Sequence, residues 1–118
     1  MEKYLYFSKG GGNDDPADAL CMPVSKFRGF GITTGVTDAV SLTLTFDRLF
    51  ESLTRDTNDE DFDNVDLVIA TGSIKSVCRA ITEAINFGKD PFISVADVEN
   101  SEFLDANITG VASINIVR

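Results

Sequence analysis

Histidine is absent from this chain of 118 residues. The absence removes Ser–His and Cys–His nucleophilic catalysis, because both need an imidazole to take the nucleophile's proton. It also removes the ordinary zinc sites, since only two cysteines, Cys21 and Cys78, remain as soft ligands. Two cysteines are too few for a disulfide framework in a short chain. Reduced thiols are expected, with Cys78 packed as a small hydrophobe and Cys21 near the start of a strand. Basic residues are scarce. Ten Lys and Arg stand against 19 Asp and Glu, a net charge of −9, and the isoelectric point is near 4.2. Nucleic-acid binding relies on cations that neutralise phosphates, so no nucleic-acid partner is expected. The same deficit argues against docking on an anionic membrane. Long apolar runs are missing too. Residues 1–7 have no apolar core of signal-peptide length, and no stretch can cross a bilayer, so the expectation is a protein that is not secreted.

What is present suits one domain over 1–118, with enough apolar residues (43%) for a core. The segment from Val65 to Gly88 organises it. Val65, Leu67, Val68 and Ile69 read as a mostly buried strand. Thr71-Gly72-Ser73 is a turn, with Gly72 supplying backbone freedom and Ser73 a hydroxyl to accept from a free amide of the next helix. Ile74, Val77, Cys78, Ile81, Ala84 and Ile85 then mark one face of a helix over 74–87. Lys75, Arg79, Thr82, Glu83 and Asn86 mark the other, and Gly88 and Pro91 end it. Burying the four large aliphatics is worth roughly 6–12 kcal/mol as an upper bound.

Residues 3–8 read as an aromatic-rich first strand, followed by a flexible loop over 10–16. Residues 23–30 form the second, with Gly29, Gly31 and Gly35 marking its end and the next turn. Residues 39–46 alternate most cleanly: Val40, Leu42, Leu44 and Phe46 against Ser41, Thr43 and Thr45. Such a half-wet strand suits antiparallel pairing. Residues 47–53 carry both helical and strand spacing. They are expected to extend that strand into a long hairpin with 65–70, across a polar loop over 54–64. Residues 91–98 and 111–117 complete the set, the last with Ile114, Ile116 and Ala112 on one face. The fold class is therefore α+β: a mostly antiparallel sheet or half-open barrel packed on one amphipathic helix, 74–87.

Several constellations invite chemistry and fall short. The acidic loop 54–64 suggests calcium, which wants convergent oxygens. Read as an EF-hand from Asp59, it has Asn64 at the glycine position and Ala70 at the closing glutamate; read from Asp56, it has Asp61 and Leu67 there. The helix start at 71–75, with Lys75 in its first turn, suggests an anion, but it is not a P-loop. Arg28-Gly29-Phe30-Gly31 matches the opening of an RNA-recognition octapeptide, and Ile32 and Gly35 then stand where aromatics are required. Asp97 and Glu99 lie two apart, a spacing that allows a shared strand face and acid–base work, but acidic residues at a strand end are usually just solvated. Asn107-Ile108-Thr109 is a glycosylation sequon. No catalytic, cofactor-binding or metal-ligating residue is assigned from these, and no cofactor is implied.

Three phrases together carry a resemblance: Val40-Ser41-Leu42-Thr43-Leu44-Thr45; Thr71-Gly72-Ser73 leading into Ala80-Ile81-Thr82-Glu83-Ala84-Ile85-Asn86; and Ile108-Thr109-Gly110-Val111-Ala112-Ser113-Ile114. They resemble a loose group of small uncharacterised proteins from marine tailed phages and marine metagenomes. The acidic insert before Val65 departs from that pattern. The resemblance implies a virion or phage-encoded accessory protein, found in the virion or the host cytoplasm, and transfers no functional residue. The expected function is a non-enzymatic structural protein that self-associates or docks on capsid or tail proteins. The alternative is a small ligand- or metal-binding domain using 54–64 or 71–75. A homo-oligomer is expected because one helix cannot shield two sheet faces. Tyr4, Tyr6, Phe27, Phe30 and Phe50 are also more aromatic surface than one small core absorbs.

Overall fold

The computed structural model describes residues 2–10, 18–34, 40–47 and 62–116. Among them lie eight strands and one α-helix: β1 (Tyr4–Ser8), β2 (Ala19–Pro23), β3 (Phe27–Thr34), β4 (Val40–Phe46), β5 (Asp63–Ile69), α1 (Ile74–Phe87), β6 (Phe92–Asp97), β7 (Glu102–Phe103) and β8 (Ile108–Asn115). The strands form two four-stranded sheets, in the orders β2-β1-β6-β7 and β3-β4-β5-β8. All pairs are antiparallel except β1 with β6. The fold is thus α+β and sheet-dominated, with open sheets and not a closed barrel.

Alternation decides what each strand buries. Leu5 and Phe7 of β1, Leu20 and Met22 of β2, and Leu42, Leu44 and Phe46 of β4 enter one apolar cluster together with Val65, Leu67 and Ile69 of β5. Phe7 meets Phe46 edge-on at a centroid distance of 6.0 Å, so an aromatic pair joins the two sheets. The helix spans the expected residues and turns the expected face inward: Val77 and Ile81 are fully buried, and Ile74, Cys78, Ala84 and Ile85 pack against the same cluster.

Three expectations need correction. The segment 23–30, expected as one strand, holds only the last residue of β2, a corner and the first half of β3. Pro23 ends β2, which lies at a sheet edge, where a residue without an N–H is tolerated. A single 3₁₀ turn, Val24–Lys26, then carries the chain into the other sheet. Cys21 is consequently mid-strand, not at a strand start. Gly29 and Gly31 lie inside β3 instead of at its end. Arg28 is the extra residue of a bulge against β4, and Gly29 takes φ 149°, which suits glycine. The last strand begins at Ile108, not at 111, and ends at Asn115. Its pairing with β5 skips Thr109 and Ala112. Each bulge resets the alternation, so Ile108, Val111 and Ile114 are buried three apart and Ala112 is exposed. A similar skip at Val95 lets β6 bury Val95 and Ala96 in succession.

The β4–β5 hairpin is present, in register from Val40↔Ile69 to Phe46↔Asp63. β4 ends at Phe46; residues 48–53 and 54–61, as well as 11–16 and Gly35 of the expected loops, lie outside the described residues.

Candidate functional site

The start of α1 is closed by the chain itself. Gly72 adopts φ 81°, as the turn requires. Ser73 has φ −108° and ψ 14° and makes no side-chain cap. Its hydroxyl donates backwards to the carbonyl of Ala70 instead of accepting from the helix, so the capping role expected of it is corrected. Ser76 in the first turn donates to Asp105 Oδ2 at 3.1 Å. Asp105 also accepts from the Asn107 backbone amide at 2.9 Å and from its Nδ2 at 3.1 Å. An internal carboxylate therefore stands beside the helix start, where the dipole favours negative charge. The sequon residue Asn107 is itself half-buried and has its amide tied to that carboxylate.

Of the acidic segment, residues 62–64 are described. Phe62 is exposed, Asp63 is fully buried within β5 opposite Phe46, and Asn64 Oδ1 accepts from Thr45 Oγ1 at 3.2 Å. Asp63 and Asn64 thus belong to the sheet and not to the loop. Asp97 and Glu99 do not form a pair. Asp97 ends β6, is buried, and accepts from the Asn100 backbone amide at 3.3 Å and its Nδ2 at 2.9 Å. Glu99 lies past the strand end, exposed in the turn that Asp97 organises. Among the described residues no group of three His, Cys, Asp or Glu side chains converges as metal ligands would. Phe30 turns inward, edge-on to Phe27 at 5.0 Å, and Phe27 meets Phe46 at 5.5 Å. Arg28 Nε sits 3.5 Å from Asp47. The Arg28–Gly31 phrase therefore offers no stacking platform for bases.

Both cysteines are free thiols, Cys21 exposed and Cys78 half-buried. Loss of water contact pushes each thiol above its ordinary value. Neither has the lowered value of a reactive nucleophile.

The two outer sheet faces differ sharply. On the β3-β4-β5-β8 sheet, Asp66 accepts from Thr43 Oγ1 at 2.6 Å and from Ser113 Oγ at 2.7 Å across both neighbouring strands. Ser41, Thr45, Asn64 and Asn115 continue this hydroxyl- and amide-rich face. On the β2-β1-β6-β7 sheet, Tyr4, Tyr6, Cys21, Pro23, Phe92 and Ser94 face outward as an uncharged patch, bounded at the β7 edge by the exposed Glu102, which pairs with Asp97. Tyr4 is 42% and Phe92 48% exposed, and the rings of Tyr6 and Phe92 lie 5.3 Å apart. Phe87, at the end of α1, is 82% exposed.

Of the aromatic residues singled out in the sequence, Tyr4 and Tyr6 are on this face, Phe27 and Phe30 are half-buried in a ring cluster, and Phe50 lies outside the described residues. Phe87 and Phe92 were not foreseen. Phe87 had a readable signal, since it falls off the apolar stripe of α1. No protein-family model, curated protein or solved structure matches the chain.

Proposed function

We propose that the protein is a non-enzymatic structural component that self-associates through the outer face of the β2-β1-β6-β7 sheet. The observation that carries this reading is the uncharged aromatic surface of Tyr4, Tyr6 and Phe92 on a chain of net charge −9. Water-facing sheet surfaces alternate polar residues outward, as the opposite sheet does with Ser, Thr, Asn and Asp. Contiguous aromatic surface instead marks contact sites, where large rigid rings contribute most of the buried area. A second copy is the occupant proposed, under closed symmetry. The resemblance to small proteins of marine tailed phages extends the reading to a virion or accessory component that docks on capsid or tail proteins.

The test is molar mass by light scattering after size exclusion, for the unaltered protein and for Tyr4→Ser/Phe92→Ser. Both changes sit on the outer face, so the fold should survive them. The unaltered chain is expected as a dimer or larger at micromolar concentration and the variant as a monomer. A mass near 12.8 kDa for the unaltered chain would overturn the proposal. So would an oligomer that the double variant leaves intact.

A further inference from the structure

The C-terminus of α1 lacks a backbone closure of the usual kind. Gly88 has φ −69° and ψ 150°, extended and not left-handed, so the glycine-based closing motifs are not formed. Its amide donates to Glu83 O at 3.2 Å, five residues back, which leaves Ala84 O without its normal helical donor. Glycine is needed here for room: a Cβ would lie 2.6 Å from Ala84 O.

Lys3 fills the vacant place. Its Nζ donates to Ala84 O at 3.1 Å, Ile85 O at 2.7 Å and Gly88 O at 2.6 Å. An ammonium has three donors, and all three are engaged. The cation also lies at the negative end of the helix dipole. The backbone around Lys3 is held as well: its carbonyl accepts from Val24 N at 2.9 Å, and the next amide, Tyr4 N, donates to Pro91 O at 2.8 Å.

We propose that these three carbonyls form a cradle for a primary ammonium, and that Lys3 is a charge-dependent strap holding the last turn of α1 against the start of β1. Releasing the strap frees residues 85–88 and loosens the wall of the hollow bounded by Ala84, Gly88, Phe92 and Leu104. Val77 and Ile81, buried in the common core, stay in place. A side chain of similar length without a donor, such as Met, cannot substitute, because the carbonyls need donors.

Amide hydrogen exchange resolved by residue is the test. In the unaltered protein, Gly88 should exchange at least about tenfold more slowly than an unstructured amide. In Lys3→Met, amides 85–88 should exchange about tenfold or more faster, while those of Val77 and Ile81 keep their rates. In Lys3→Ala, propylammonium chloride should restore protection that sodium chloride at equal ionic strength does not. An unprotected Gly88 in the unaltered protein overturns the proposal, and this measurement does not depend on any variant folding. Unchanged exchange at 85–88 in Lys3→Met, or equal rescue by both salts, overturns it too.

Discussion

Ile81 has no solvent exposure, whereas Arg79, on the same helix, faces water. Truncating a buried aliphatic removes its transfer energy and leaves a cavity. Ile81→Ala should therefore cost about 2–5 kcal/mol. Arg79→Ala should stay within about 0.5 kcal/mol, as exposed sites do. Denaturant midpoints with a shared slope measure both, and comparable shifts would contradict the facing of α1. Burial raises both thiols, Cys21 and Cys78, above the ordinary 9.0, so the folded protein holds these protons more tightly than the unfolded chain does. The sign follows: their contribution to stability is complete below pH 9 and declines as pH rises through the raised folded values. A chromogenic disulfide at pH 8 should label Cys21 first and Cys78 more slowly. Both should react faster in denaturant, and a native Cys78 that outpaces Cys21 would refute the placement.

At the scale of elements, pairing geometry matters more than residue type. β8 buries Ile108, Val111 and Ile114 because bulges at Thr109 and Ala112 break the alternation twice. β5 has no such break, and its burial alternates along its whole length. That regularity bears on the acidic segment. Asp63 is fully buried, and Asn64 accepts from Thr45 on the outer face of the sheet. A calcium loop counted from Asp59 needs both at its fifth and sixth positions. Calorimetric titration with calcium at moderate salt should thus give only heats of dilution. A micromolar site would overturn this prediction.

At the scale of the whole molecule, charge and apolar surface oppose each other. Nine net negative charges per chain repel a second copy, while Tyr4, Tyr6 and Phe92 favour one. Salt screens repulsion between exposed charges within about 10 Å at 0.1 M. Burial of aromatic rings does not weaken under the same change. Self-association should therefore tighten between low and moderate salt, read as a falling dissociation constant in sedimentation. Weaker association at higher salt would mean that ion pairs, and not the aromatic face, hold the copies together.

Features with a local cause are legible in the residues alone. The amphipathic stripe from Ile74 to Ile85 specified α1 and its buried face, because helix periodicity and burial coincide there. Strict alternation did the same for β4, and the turn at Gly72 needed only one flexible residue. Features that depend on a distant partner arise from long-range contacts. The change of sheet at Val24–Lys26 separates β2 from β3 because each finds its own neighbour, β1 and β4. The bulges in β8 follow from its register against β5, which no local pattern encodes. Asp105 meets Ser76 across 29 positions, and Lys3 reaches the end of α1 across more than 80. The aromatic face likewise became visible only when Phe92 was laid beside Tyr6 by a parallel pairing between β1 and β6. Such contacts need chain closure over long separations, and a side chain's own type says nothing about which closure brings it a partner.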